Sequence, residues 1–172
     1  GASDEPEFTI SYAPTYEGQD YGKVFFHTDM EDDPDTTEDE ATVALNLAGF
    51  GVIPRIEVEP SLLYFPDVPS GDTSTKSFTL SASGSGNLVI RHIELSDPDG
   101  MFSYSPPVDY PGEPYVLNNG YSITMDASFA PTDASEHSAQ IQIETNDPEV
   151  PLSIIDLRGN SVDNPEENYD VP

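Results

Sequence analysis

The fold of this chain is decided by residues 121–160, YSITMDASFAPTDASEHSAQIQIETNDPEVPLSIIDLRGN. Three apolar segments within it have the length and residue types of strands, namely 122–129, 138–145 and 152–157. Proline-containing turns separate them, so the stretch predicts three strands in succession.

A weaker copy of this stretch opens the chain. An offset of 117 positions places Tyr12-Ala13-Pro14-Thr15 on Phe129-Ala130-Pro131-Thr132. After an insertion rich in acidic residues, Leu47-Ala48-Gly49 matches Leu157-Arg158-Gly159. The same segments and turns recur in the same order, which indicates an internal repeat.

The composition limits what the chain can bind. Across 172 residues, 33 aspartates and glutamates outweigh 5 lysines and arginines, for a formal net charge of −28. This charge repels nucleic acid and anionic lipid, and no apolar run is long enough for a membrane span, so we expect neither nucleic-acid binding nor direct membrane insertion. The lack of cysteine excludes disulfides and thiolate metal sites. We expect cations as counter-partners and a saline or calcium-rich setting.

The first residues of the chain suggest where the protein works. No signal peptide is present, but the chain begins inside a repeat, as a processed or excised piece of a longer chain would. Such processing removes an upstream leader. We therefore expect an extracellular or cell-surface protein.

The spacing of strands predicts the fold class. Short strands about every 8 to 12 residues, rich in proline and glycine between them, predict an all-β, immunoglobulin-like antiparallel sandwich. Residues 52–160 form one complete domain, and residues 161–172 form a linker or tail. Residues 1–51 match only the last three strands, a C-terminal half-repeat with a long acidic hairpin loop. Its strands are predicted at 8–12, 22–28 and 42–48.

Side-chain parity predicts a bulge and a core. In LVIRHIEL, residues 88–95, Ile90 and Ile93 would fall on opposite faces of a regular strand, so we expect a β-bulge near Arg91-His92. The inward positions of the predicted strands define the core, namely Phe78, Leu80, Leu88, Ile90, Met125, Phe129, Ile141, Ile143 and Leu157.

Two motifs in the second repeat are specific, Phe129-Ala130-Pro131 and Thr145-Asn146-Asp147-Pro148. With the apolar pairs Ile56-Val58 and Leu63-Phe65 and the closing Leu157-Arg158-Gly159, they make residues 56–159 resemble the Hydin and abnormal-spindle type of immunoglobulin-like domain. Similar bacterial repeats occur in exported chains labelled choice-of-anchor D. The resemblance implies a seven-stranded sandwich, related to major sperm protein domains, that serves as a spacer or assembly module without catalytic residues.

No catalytic motif is present. The histidines His27, His92 and His137 stand apart, without HxH or HExxH spacing, and there is no GxSxG serine or phosphate-binding glycine loop. Paired carboxylates arise by chance in so acidic a chain, and nothing marks a pocket that would tune their pKa. We expect no enzyme activity. We also expect His27 and His137 to face solvent and His92 to lie at the bulge.

The acidic loop is the main candidate metal site. Carboxylate oxygens are the ligands that Ca²⁺ prefers, and one segment offers five of them: Asp29, Glu31, Asp32, Asp33 and Asp35. The loop lacks the glycine and the closing glutamate of an EF-hand, and a solvated loop without metal is the alternative. Asp97 and Asp99, in DPDG, are a second candidate ligand set, for which a plain turn is the alternative.

These features favour a non-catalytic structural or assembly module of an exported repeat protein, in a surface, matrix or filament. The strands of residues 1–51 would leave an apolar face and open edges uncovered. We expect other copies or neighbouring repeats to cover them by strand complementation, or packing on the complete domain to do so. Truncation of a longer repeat is the competing account.

The alternative function is a carbohydrate- or protein-binding module of an adhesin or exported multidomain enzyme. Sugar recognition usually needs exposed aromatic faces, and the chain has no tryptophan. Tyr104, Tyr110 and Tyr115 are the only aromatic cluster that could serve. Such tyrosines more often cap the end of a sandwich.

Overall fold

The computed structural model describes residues 7–27 and 42–163, where all regular secondary structure is β-strand. The chain divides into two compact units, Gly1–Val52 and Ile53–Pro172, called unit 1 and unit 2 below. Within the described ranges, no helix is long and apolar enough to cross a membrane. The all-β prediction is confirmed.

Unit 1 contains a two-stranded antiparallel hairpin of β1 (Gly18–His27) and β2 (Thr42–Gly51). Both strands are longer than predicted. β1 begins four residues before the predicted start at position 22. Asp20 lies on the same face as the later inward residues of the strand and pairs with Gly49. β2 continues to Gly51, which pairs with Gly18.

Unit 2 is a sandwich of two sheets. Its strands are β3 (Ile56–Glu59), β4 (Leu62–Pro69), β5 (Ser74–Ala82), β6 (Leu88–Ser96), β7 (Phe102–Ser105), β8 (Tyr115–Leu117), β9 (Ser122–Phe129), β10 (Glu136–Thr145) and β11 (Leu152–Val162). One sheet has the order β4-β11-β10-β6-β8 and the other β3-β5-β9-β7. Every pairing is antiparallel except that of β4 with β11, which is parallel. This is the predicted immunoglobulin-like sandwich.

The inward faces of the two sheets form the core of unit 2. All nine predicted core residues are buried, and none is more than 1% exposed. Three phenylalanines, Phe65, Phe102 and Phe129, pack together within it, with ring centroids 4.7 to 6.1 Å apart. Because Phe129 belongs to the Phe-Ala-Pro motif, the motif's aromatic residue is a core residue.

The predicted β-bulge is confirmed. In the pairing of β6 with β10, His92 lies opposite Glu144 but Ile90 lies opposite Thr145, so Arg91 is the extra residue. The shift turns Ile90 and Ile93 to the same buried side.

Several bounds in unit 2 differ from the prediction. Nine strands replace the seven that the resemblance implied, because Pro60 divides the first strand into β3 and β4 in different sheets and the short β8 adds to the edge of β6. β4 continues beyond the apolar pair Leu63-Phe65 as far as Pro69, and β11 runs into the predicted tail as far as Val162. Both extensions have one cause, because the two strands pair with each other and place Ser161 opposite Val68.

Residues 7–14 form no strand, so the strand predicted at 8–12 is wrong. The segment still contacts the hairpin, because the Phe8 ring lies 5.3 Å from that of Phe26. In the repeat alignment it matches β9, which is hydrogen-bonded to β5 on one side and to β7 on the other. The described part of unit 1 holds no counterpart of either neighbour, and a strand requires a hydrogen-bonded partner.

Candidate functional site

The predicted metal ligands fall into two groups. Asp29, Glu31, Asp32, Asp33 and Asp35 lie outside the described residues, and their binding of Ca²⁺ stays a prediction. Asp97 and Asp99 are described. Asp97 Oδ2 accepts a hydrogen bond from the Phe102 backbone N–H at 2.7 Å, which is turn geometry. Across residues 7–27 and 42–163, no three histidine or carboxylate side chains converge as metal ligands would.

Asp99 instead contacts a buried histidine. His137 on β10 is 8% exposed, so the prediction that it faces solvent is wrong. Its Nδ1 lies 3.2 Å from Asp99 Oδ2, and its Nε2 lies 3.1 Å from Asp133 Oδ1. A signal for this burial is present in the sequence, because His137 shares its parity with Ala139 and Ile141 on the inward face of β10.

The two carboxylates control the charge of this histidine. Burial lowers the pKa of His137, but the hydrogen bonds and charges of Asp99 and Asp133 outweigh it and hold the pKa above 6.5. Ser135 Oγ lies 3.0 Å from His137 Nε2. This hydroxyl donates to Asp133, and that bond, together with the imidazole, lowers the pKa of the Asp133 carboxyl.

Ser135, His137 and Asp99 are connected like the triad of a serine hydrolase. A nucleophilic serine must give its proton to the imidazole, whereas the Ser135 hydroxyl is directed at the Asp133 carboxylate. We therefore interpret the cluster as structural. It joins the β6–β7 turn, through Asp99, to the loop between β9 and β10.

The tyrosine cluster packs inward. Tyr104, Tyr110 and Tyr115 are partly buried against the core of unit 2, and Tyr104 Oη donates to the Ile93 carbonyl at 3.1 Å. The rings of Tyr110 and Tyr115 lie 5.1 Å apart, and burial raises the pKa of Tyr110 to about 12. These tyrosines therefore cap the sandwich and do not present free faces on which a sugar could stack.

The Thr-Asn-Asp-Pro motif fastens the beginning of unit 2. The Asp147 side chain is 1% exposed and accepts hydrogen bonds from the backbone N–H groups of Ile56, at 2.9 Å, and Glu149, at 2.8 Å. Arg55 Nη1 lies 3.1 Å from the same carboxylate. Burial raises the pKa of Asp147, but these bonds outweigh it and lower the pKa. The motif's role is thus to anchor β3.

The hairpin of unit 1 repeats the β10–β11 pairing of unit 2 in register. Val24 lies opposite Leu45, and their matches Ile141 and Ile155 lie opposite each other. The other pairs of the hairpin, from the His27–Thr42 pair to the Asp20–Gly49 pair, also fall on residue pairs of β10 and β11. The internal repeat predicted from sequence is therefore present in the backbone pairing.

A close contact between a glycine and an aromatic ring also recurs. A Cβ atom placed on Gly159 would lie 2.5 Å from the Phe129 ring, and one placed on Gly49 would lie 2.7 Å from the Tyr12 ring. Real Cβ contacts are longer, so a larger residue at either position would require the ring to move. This contact links the Phe-Ala-Pro and Leu-Arg-Gly motifs of unit 2 and their copies in unit 1.

The two hairpins differ in burial. Ile155 in unit 2 is fully buried, whereas its match Leu45 is 45% exposed and the adjacent inward residue Val43 is 57% exposed. A groove of about 420 Å³ opens beside them, lined by residues that include Ile10, Tyr12 and Leu47. The inward face that unit 2 buries in its core is thus only partly buried in unit 1.

The outer edge of β2 is the second open feature of unit 1. In unit 2 the matching edge of β11 carries β4, which runs parallel to it and places Leu63 opposite Leu157 and Phe65 opposite Gly159. Within residues 7–27 and 42–163, β2 pairs only with β1. We call this free edge and the exposed inward face of the hairpin the open half, and it is the candidate functional site.

The two sheets, their order and the parallel β4–β11 pair define an immunoglobulin-like β-sandwich protein. Residues 54–160 match the family of HYDIN/CFA65/VesB-like Ig-like domains, and the chain belongs to this family. The resemblance stated from the motifs is confirmed. A search of curated protein sequences found no match.

A comparison with solved structures finds similar chains from several organisms. A protein of unknown function from Porphyromonas gingivalis W83 has a TM-score of 0.53 and 16% identity, covering 87% of this chain and 68% of that one. The VesB protease of Vibrio cholerae has a TM-score of 0.48 and 13% identity, covering 62% and 31%. The ASH/PapD-like domain 7 of human CEP192 has a TM-score of 0.45 and 15% identity, covering 92% and 99%. The first of these similarities shows the fold alone.

Proposed function

We propose that this chain is a non-catalytic structural module of an exported repeat protein, and that unit 1 joins other copies or neighbouring repeats by strand addition at its open half. One observation carries the proposal. The same hairpin, in the same register, has a buried inward face in unit 2 and a partly exposed one in unit 1.

The exposed face gives the proposal its driving force. Complete burial of a valine, leucine or phenylalanine side chain stabilises by about 1.5–3 kcal/mol. Several such side chains stand half-exposed on the hairpin, among them Val43 and Leu45. A free strand edge also offers unpaired backbone N–H and C=O groups to another strand. Covering both features at once therefore favours association over the isolated unit.

Unit 2 supplies the pattern for the added strand. β4 lies parallel to β11 and buries Leu63 and Phe65 beneath it. The strand that completes unit 1 would by analogy run parallel to β2 and carry apolar residues at alternate positions. An aromatic residue at the position of Phe65 would lie opposite Gly49, as Phe65 lies opposite Gly159.

The charge of the chain supports an extracellular setting. At −28 it needs salt or cations to screen its self-repulsion before copies associate. Calcium bound at residues 29–40 would lower that repulsion next to the hairpin, and this remains a proposal drawn from the sequence. No catalytic role is proposed for any residue.

Sedimentation equilibrium of the purified chain at physiological salt tests the assembly. We expect the average mass to rise with concentration. Leu45→Asp places a charge on the inward face and should abolish the rise. Phe25→Asp is the matched control, because Phe25 is 56% exposed on the opposite face of the same hairpin and its replacement should leave association intact.

Two results would overturn the proposal. A monodisperse monomer in which residues 8–47 resist proteolysis would mean that unit 1 is complete without a partner. A monomer that is cleaved there would favour the truncation account, in which the rest of the half-repeat belongs to a longer chain.

A further inference from the structure

The parallel pair of β4 and β11 joins strands that lie near the two ends of the unit 2 chain. It is the sole parallel pairing among the described strands, and its register runs from Leu62 opposite Asp156 to Pro69 opposite Val162. Both ends are closed by further backbone bonds. The Asp156 N–H donates to the Ser61 carbonyl, and the Ser70 N–H donates to the Val162 carbonyl, each at 2.9 Å.

Side chains reinforce the same pair. Ser161 Oγ donates to the Val68 carbonyl at 3.0 Å, and Asn160 Nδ2 donates to Asp67 Oδ1 at 2.8 Å. Beneath them the side chain of Val68 is 4% exposed. The contact therefore combines backbone bonds with side-chain bonds and core packing, on both sides of a register shift between Gly159 and Ser161.

The direction of the two strands decides how they respond to a pull on unit 2. The chain reaches β4 through β3, and it leaves β11 at Val162. Because the strands are parallel, tension between the two ends pulls β4 and β11 in opposite directions along their common axis. The hydrogen bonds between strands lie across that axis, so the pull loads them together in shear and not one after another.

The chain is also fastened where it enters unit 2. The Ile53 N–H donates to Ser85 Oγ at 3.0 Å, and the Ser85 N–H donates to the Ile53 carbonyl at 2.9 Å. Arg55 pairs with both Asp147 and Glu149. Tension that arrives from unit 1 therefore meets these bonds and β3 before it reaches β4.

We propose that unit 2 is a mechanical link that resists tension along the chain, with the β4–β11 pair as its shear clamp. This function rests on the proposal that the chain is part of a longer structural series. It concerns unit 2 alone, and the open half of unit 1 takes no part in it.

Single-molecule pulling on the full chain tests the clamp. The chain has no cysteine, so two introduced thiols are the only attachment points for handles. Val52→Cys with Asp163→Cys pulls β4 against β11 in shear. Glu136→Cys with Asp163→Cys is the control, because Glu136 starts β10 beside the end of β11, and the antiparallel pair then opens one bond at a time.

The two attachments also release different lengths of chain, which identifies each event. At about 3.5 Å per residue, the fully extended chain spans about 390 Å between positions 52 and 163 and about 95 Å between 136 and 163, and unfolding releases that length less the folded distance between the two handles. We expect the shear geometry to rupture at a severalfold higher force. Forced unfolding is governed by the unfolding rate, and so by the energy barrier along the direction of the pull. Thermal melts of both variants check that each is folded.

Equal rupture forces in the two geometries, or a lower force for the 52–163 pair, would overturn the clamp. That result would leave the assembly proposal standing, because sedimentation measures the open half independently. Conversely, a strong clamp in a chain that stays monomeric would support a tension-bearing link and reject strand addition.

Discussion

Gly159→Ala tests the close contact between a glycine and an aromatic ring that recurs in both repeats. The new Cβ would lie 2.5 Å from Cε1 and Cζ of Phe129. That ring is fully buried and stacks on Phe102 with centroids 4.7 Å apart, so it has no space into which to move. Overpacking of this kind costs about 1–3 kcal/mol. The smaller conformational entropy of the unfolded alanine chain offsets about 0.4–1 kcal/mol, and the middle of each range leaves a net loss of about 1.3 kcal/mol.

Gly49→Ala is the matched control in unit 1. Its Cβ would lie 2.7 Å from the Tyr12 ring, but Tyr12 is 48% exposed and can swing outward. We expect the unfolding transition of unit 2 to stay within about 0.5 kcal/mol of the unaltered chain. The chain lacks tryptophan, so urea denaturation is followed by circular dichroism and tyrosine fluorescence. A loss below about 0.5 kcal/mol for Gly159→Ala would refute the packing argument.

Three further predictions concern single sites. His137→Asn should lower the free energy of unfolding most below pH 6.5, where the unaltered histidine is charged in the folded chain. The difference from the unaltered chain should shrink as the pH rises through the raised pKa of His137. A loss that does not depend on pH would contradict the charge argument. Asp147→Ala should cost about 2–3 kcal/mol by urea denaturation, because it leaves buried donors unpaired; in the unaltered chain this contribution should fade as the pH falls below about 3.8, since the pKa is lowered. Titration calorimetry should detect weak calcium binding at residues 29–40, with Kd on the order of 10⁻⁴ to 10⁻³ M, and a heat that survives conversion of Glu31, Asp32, Asp33 and Asp35 to amides would place the site elsewhere.

The sequence predicted the strands of unit 2 in which apolar and polar residues alternate clearly and which have hydrogen-bonded neighbouring strands. The core positions and the bulge at Arg91 followed from parity, because a strand places successive side chains on opposite faces. The strand at residues 8–12 has equally clear alternation but is absent. Alternation shows which face a segment can bury, whereas a strand also needs a hydrogen-bonded neighbour, and the sequence of one segment does not provide it.

The hydrogen bonds and ion pairs of the buried polar side chains were harder to predict than the core. The burial of His137 could be predicted from its parity with Ala139, but its partners could not, because Asp99 lies 38 positions away in a turn. Asp147 stood out as part of a motif, yet its role in anchoring Ile56 depends on a contact across 91 positions. Such contacts are set by the packing of two sheets and leave no local pattern in the sequence.

The open half could be predicted in outline, because it follows from the strands that residues 1–51 lack relative to the complete domain. A complete sandwich needs all the strands of its two sheets, and residues 1–51 match only the last three, β9, β10 and β11. The edge that is free, and the parallel direction of the missing strand, required the register of β2 and of the β4–β11 pair. The sequence therefore led to the prediction of strand complementation, and the structure adds the edge of β2 at which we propose it.

Hydrogen exchange of unit 1 with an added strand tests the central claim most directly. The probe is a peptide of residues 61–70, SLLYFPDVPS, which contains β4. Its control replaces Leu63 and Phe65 with serine at unchanged charge. Strand addition predicts that the peptide slows exchange along β2 (Thr42–Gly51) in the full chain, that the control does not, and that Leu45→Asp abolishes the protection. Equal exchange of β2 with peptide, with control and with neither would contradict the account.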